Sequence, residues 1–108
     1  MDQLTLSEKI GSNYMYLDIS GALNSYTLTE FQEKVYSYIP DFNVVVKMEE
    51  IIQIDSSGVG VLLAAHNEGL DSGTKFYIMS PSEPVRHALD KTGFMDMLNI
   101  IHSVTEVS

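Results

Sequence analysis

The run Ile54-Asp55-Ser56-Ser57-Gly58-Val59-Gly60 sets a carboxylate and two hydroxyls where an extended apolar stretch gives way to helical spacing. The first N–H groups of a helix have no partner within it, and the aligned peptide dipoles place about half a positive charge there. A phosphate carried by one of these serines would be held by that field and not expelled. Gly58 and Gly60 are small enough to leave the hydroxyls within reach of another protein. The ordinary use of Asp or Ser at a helix start is N-capping, worth about 1 kcal/mol, and spacing alone does not choose between Ser56 and Ser57. One cap needs only one side chain, whereas three candidates stand in a row.

Catalytic readings of the same residues fail on geometry. Asp55, Ser56 and His66 have the residue types of a hydrolase triad, but ten residues of helix span about 15 Å, too far for His66 to take a proton from Ser56. Neither a G-x-S-x-G elbow nor a G-x-x-x-x-G-K-[ST] loop occurs, and Gly58-Val59-Gly60 lacks the rest of a dinucleotide fingerprint. His66, His87 and His102 stand apart from one another and from any metal-ligand spacing, so surface or half-buried roles are expected for them and no metal is assigned. No catalytic residue and no cofactor is expected. Met79, Met95 and Met97 are read as core filling, and Phe94, Met95, Met97 and Leu98 as a corner of the core in preference to an exposed patch.

Strands and helices in alternation must position this junction. Leu4 to Ile10 and Tyr14 to Ile19 alternate apolar with polar residues about the turn Gly11 to Asn13, which predicts a hairpin. Thr27 and Glu30 have the spacing of a capping box, and Leu28, Phe31, Val35, Tyr38 and Ile39 then share one helical face up to Pro40. The β-branched Val44-Val45-Val46 predicts a central strand covered on both faces. A short turn is expected next, with Ile51, Ile52 and Ile54 leading into the Asp55 junction. Val59, Leu62, Leu63, His66 and Leu70 then carry a second helix that closes at Gly73. Lys75 to Met79 predicts another strand. Ser82 is the expected N-cap of a third helix, with Pro84 in its first turn and Val85, Ala88 and Leu89 inward. A last strand is expected at Ile100 to His102. The class is α/β, one domain over residues 1–108.

Composition narrows the partners. The chain has 108 residues, a hydrophobic fraction of 44% and a charged fraction of 19%, as an ordinary single core requires. Fifteen acidic against six basic residues give a formal charge of −9, which repels a phosphate backbone and an anionic bilayer. Neither nucleic acid nor membrane is an expected partner. The absence of cysteine fits a reducing compartment. The acidic start lacks the pattern of a secretory signal, and the longest apolar run, Val59 to Ala65, is far short of the roughly 20 residues of a membrane helix. A cytoplasmic location follows as the expectation.

In order along the chain, Ser20-Gly21-Ala22-Leu23-Asn24, Val44-Val45-Val46, Ile54-Asp55-Ser56-Ser57-Gly58-Val59-Gly60 running into Val61-Leu62-Leu63, and Ser80-Pro81 leading to Val85, Leu89 and Gly93-Phe94 together resemble a STAS domain of the bacterial anti-sigma-factor antagonist group. The similarity spans about Leu4 to Val104. The resemblance implies a STAS-like, four- or five-stranded mixed β-sheet flanked by α-helices, without an active site. It further implies that the unphosphorylated protein binds an anti-sigma factor that is also a serine kinase of the histidine-kinase-like ATPase fold, so freeing a sigma factor. That kinase would phosphorylate the first serine after the aspartate, here Ser56, and switch binding off, and a metal-dependent serine phosphatase would reverse the mark. Asn24, Asp55, Ser56, Ser57 and Gly58 are the implied partner-binding residues. Asn24 stands where the family often carries Asp, which removes a like charge from beside the phosphate. The alternative is an accessory STAS subunit that docks, unphosphorylated, on a transporter or signalling complex.

Overall fold

The alternating segments at the start of the chain become β1 (Leu4–Ile10) and β2 (Tyr14–Leu23), an antiparallel pair in which Leu6 faces Ile19 and Ile10 faces Met15. The computed structural model describes residues 3–107. After β2 come α1 (Leu28–Tyr38), β3 (Asn43–Ile54), α2 (Ser56–Ser72), β4 (Phe76–Met79), α3 (Glu83–Thr92) and β5 (Asn99–Ile101), with 3-10 turns at Met95–Met97 and Val104–Glu106. The five strands lie in sequence order, and every pair after β1·β2 is parallel. The sheet is therefore mixed and five-stranded.

The two faces of the sheet are covered differently. Val44, Val46 and Ile78 pack with Phe31 and Val35 of α1, Leu62 and Ala65 of α2, and Val85 and Leu89 of α3 in the main core. Val45, Tyr77, Met79 and Ile101 form a smaller cluster on the other side, against Tyr14, Tyr16, Val104 and Val107. All three valines of the 44–46 run are fully buried, as expected of a strand covered on both faces. The edge strand β1 is tied to α1 through Glu8. Its carboxylate accepts from Tyr38 Oη at 2.8 Å and lies 3.1 Å from Lys34 Nζ. The Tyr38 hydrogen bond first, and Lys34 second, hold this carboxyl below its ordinary value.

Several local expectations are corrected. No turn interrupts residues 47–50: β3 is one strand of 12 residues, with Met48 fully buried and Lys47 and Glu49 on one side, 3.8 Å apart. The charged letters look like a turn, but Lys47 and Glu49 flank the inward Met48 in strand alternation, and the strand must be long to follow β2 as far as Leu23↔Ile54. That register slips at Gly21/Ala22. Gly21 has φ +103°, and a Cβ there would lie 2.3 Å from the Gln3 carbonyl oxygen, so only glycine fits this bulge.

The capping box of Thr27 and Glu30 does not form. Thr27 is the N-cap residue, yet its hydroxyl donates to the Ala22 carbonyl at 2.8 Å and accepts from Asn24 N–H at 3.0 Å, so it is turned toward the loop and caps no helix N–H. A capping box occurs instead at the C-terminal 3-10 turn, between Ser103 and Glu106. Ser82 takes the N-cap position of α3 with Pro84 in the first turn, but its hydroxyl is buried without a hydrogen bond and does not cap. The fourth strand begins at Phe76, one residue after Lys75, and the last strand is Asn99–Ile101, one residue earlier than its apolar letters suggest. His102 is exposed beyond it.

Candidate functional site

The start of α2 divides its labour cleanly. Asp55 is the N-cap in extended geometry, and one carboxylate oxygen accepts from Gly58 N–H at 3.0 Å while the other accepts from Ser25 N–H at 3.3 Å. Its own N–H donates to the Leu23 carbonyl at 3.2 Å. A single side chain thus caps the helix and ties the β2–α1 loop to it. Ser56 is exposed at the first helical position, Ser57 is half-buried, and among the described residues neither hydroxyl enters a hydrogen bond. The redundancy in the sequence is resolved in favour of Asp55, which frees both serines from capping.

Asn24 sits beneath this junction and is buried. Its side-chain oxygen accepts from Tyr26 N–H at 2.9 Å, and its amide nitrogen donates to Gln53 Oε1 at 3.3 Å. Its carbonyl accepts from the N–H groups of Thr27 and Leu28. The residue therefore shapes the loop next to Ser25. Gly58 is buried as well: a Cβ there would lie 2.8 Å from the Leu23 carbonyl oxygen and 2.9 Å from Ile54 Cγ1. Its smallness lets α2 begin hard against the end of β2, whereas a Cβ at the exposed Gly60 would meet nothing within 4 Å. Of the sequence-derived set, Asp55, Ser56 and Ser57 meet at the surface, and Asn24 and Gly58 support them from below.

Five further residues that sequence reading did not assign to the site come into view near this junction. Tyr26, 90% exposed, stands next to Ser25, and Ile52 is 75% exposed. A groove of about 540 Å³ runs from Ser56, Ile52 and Val59 to α3, where Pro84, His87 and Lys91 line it. Ile52 is thus a large apolar side chain held in water in the groove of Ser56, and Tyr26 is a second on the loop that Ser25 ties to Asp55. The signal for Tyr26 lies in its place two residues after Asn24, within an Asx turn that projects it outward. His87 and Lys91 come from a distant helix, and no local pattern announces them.

The hydrolase reading is no better served by the structure. His66 lies on α2 and lines a different cavity. His87 does share the groove of Ser56, yet Asp55 spends both oxygens on backbone N–H groups and orients no imidazole. Among the described residues there is no group of His, Asp and Glu that could hold a metal ion, and no helix long and apolar enough to cross a membrane.

Comparison with known proteins agrees with this geometry. The model of the STAS domain family matches residues 6–107. An anti-sigma factor antagonist from Mycobacterium paratuberculosis superposes with a TM-score of 0.80 at 16% identity, over 95% of this chain and 89% of that one. The phosphorylated form of the Bacillus cell fate determinant SpoIIAA, itself an anti-sigma factor antagonist, superposes with a TM-score of 0.74 at 17% identity, over 94% and 95%. At such identities these likenesses speak for the fold. Sulfate transporter 2.1 of Arabidopsis thaliana is 34% identical over 55 residues, which is 51% of this chain and 8% of the transporter's length.

Proposed function

The chain belongs to the STAS domain family, and from that premise we propose that it is a protein-binding phosphoswitch with no catalytic role of its own. In its unmodified form it binds an anti-sigma factor that is also a serine kinase of the histidine-kinase-like ATPase fold, and the sigma factor is released. The kinase uses ATP to phosphorylate Ser56, the complex separates, and a metal-dependent serine phosphatase restores the binding form. All of this takes place in the cytoplasm, where ATP is available.

The observation that carries the reading is the free, exposed hydroxyl of Ser56 beside a cap supplied entirely by Asp55. A kinase must reach the hydroxyl, and the half-buried Ser57 is the worse substrate on that ground. Ile52, in the groove of Ser56, and Tyr26, on the loop tied to Asp55, give the partner exposed apolar area. The partner face is then Ser56, Ser57, Tyr26 and Ile52, held in shape by Asn24, Asp55 and Gly58.

Binding of the purified, unmodified chain to each kinase of this fold from the same genome tests the first half of the cycle. A complex with one of them on size exclusion, kept in a Ser56→Ala variant, is the expected result. The match to a sulfate transporter favours one other reading, an accessory domain that docks on a transporter without being modified. Retention of the chain by a transporter component, with no kinase bound, would replace the first reading by the second.

A further inference from the structure

Six lysines and arginines stand against fifteen acidic side chains in this sequence. Lys34 pairs with Glu8, Lys47 lies 3.8 Å from Glu49, and Lys9 stands 5.5 Å from the centre of the Tyr16 ring. Arg86 and Lys91, both exposed on α3, enter no ion pair or hydrogen bond among the described residues. Their surroundings differ. Arg86 shares a concavity with Glu83 and Asp90, one helical turn away on either side. Lys91 lines the groove of Ser56, with His87 one turn before it and the apolar Ile52, Val59 and Pro84 around it. The carboxylate on that groove, Asp55, gives both oxygens to backbone N–H groups. The cavity between α2 and the connection from α3 to β5 has no Lys or Arg on its walls. It corrects two expectations: Met97, 56% exposed, and Phe94, 48% exposed, do not fill a corner of the core, and His66, 8% exposed, is buried.

Resting on the phosphoswitch reading above, we propose that the groove takes a segment of the kinase in which an acidic residue stands beside a large apolar one, the carboxylate meeting Lys91. Two needs of the groove set this chemistry. Ile52, 75% exposed, loses its contact with water to advantage only under an apolar side chain. A partner that covers Ile52 and reaches Ser56 also strips water from Lys91 on the same groove, and a desolvated cation without a counter-charge is strongly unfavourable. Lys91 has no acid of its own, so the partner must supply one. The net charge of −9 repels an acidic surface elsewhere, which makes an unpaired lysine the place where such a segment is admitted. The pairing also sharpens the switch. A phosphate on Ser56 enters the groove as a second anion, repels the partner's carboxylate and competes with it for Lys91.

Calorimetric titration of the kinases of this fold from the same genome with unmodified wild type, Lys91→Gln, Lys91→Glu, Lys91→Arg and Arg86→Glu, at low and high salt, tests the pairing. Lys91→Gln should bind about tenfold more weakly and Lys91→Glu about 100-fold, while Lys91→Arg, which keeps the charge, should stay close to wild type. The wild-type complex should lose affinity with added salt more steeply than the Lys91→Gln complex, a difference that a merely structural role of the lysine would not produce. Arg86→Glu makes the same change of charge on the same helix outside the groove, and should stay within about twofold of wild type. Both positions are exposed, and thermal unfolding of each variant verifies that its fold is kept. A complex as tight with Lys91→Glu as with wild type, or one weakened equally by Arg86→Glu, would overturn this inference and leave the phosphoswitch standing. A wild-type chain that binds none of the kinases would overturn both.

Discussion

A phosphate on Ser56 is expected to weaken the partner complex by at least about 100-fold while leaving the fold of the chain intact. Both halves follow from where Ser56 stands. The hydroxyl is exposed at the first position of α2, so a phosphate added there extends into the groove that Ser56 shares with Ile52. It brings about 1.5 to 2 negative charges into a contact made of apolar side chains. Burying that charge unpaired costs several kcal/mol, and each 1.4 kcal/mol is about tenfold in affinity, so two decades are a modest expectation. Within the chain the same charge meets the positive end of the α2 dipole, and His87 and Lys91 line the adjoining groove. Calorimetric titration of the kinase with the two forms, beside thermal unfolding of each, checks the pair of claims. Equal affinities would remove the switch, and a large fall in melting temperature would mean that phosphate acts by unfolding.

Replacing Gly58 by alanine is expected to cost about 1–3 kcal/mol, the usual penalty of overpacking, and to disturb the start of α2. Glycine-to-alanine changes inside helices normally gain up to about 1 kcal/mol, so two effects oppose each other. The steric one wins here because the nearest obstacle, at 2.8 Å, is the Leu23 backbone carbonyl, which also accepts the Asp55 N–H. That carbonyl cannot move without loosening the cap. Gly60 is the control, in the same helix with nothing within 4 Å of its missing Cβ, and Gly60→Ala should stabilise by up to about 1 kcal/mol. Urea unfolding of the two variants separates the effects. A Gly58→Ala protein as stable as the Gly60→Ala one would show that α2 does not rest on Leu23.

What could be read from the sequence was whatever local periodicity and a single junction dictate. Val44 to Val46 announced a strand buried on both sides, and Asp55 to Gly58 announced a helix start with more polar side chains than one cap requires. Thr27 misled because a hydroxyl at N-cap spacing has rivals that only the fold supplies, here the Ala22 carbonyl. Residues 47–50 misled because charged side chains on a half-exposed strand look like a turn. Neither the groove beside Ser56 nor the cavity at His66 was legible, since each brings α2 together with residues from α3 or its connection to β5. Asn24 was found by resemblance, but its burial and its bond to Gln53 belong to the tertiary structure.

The most direct test of the switch is the intact mass of the purified chain after incubation with ATP and the candidate kinases of the same genome, with Ser56→Ala in parallel. The account requires a gain of one phosphate with one of these kinases and none in the variant. No gain with any kinase, or a gain that persists in Ser56→Ala, would contradict it.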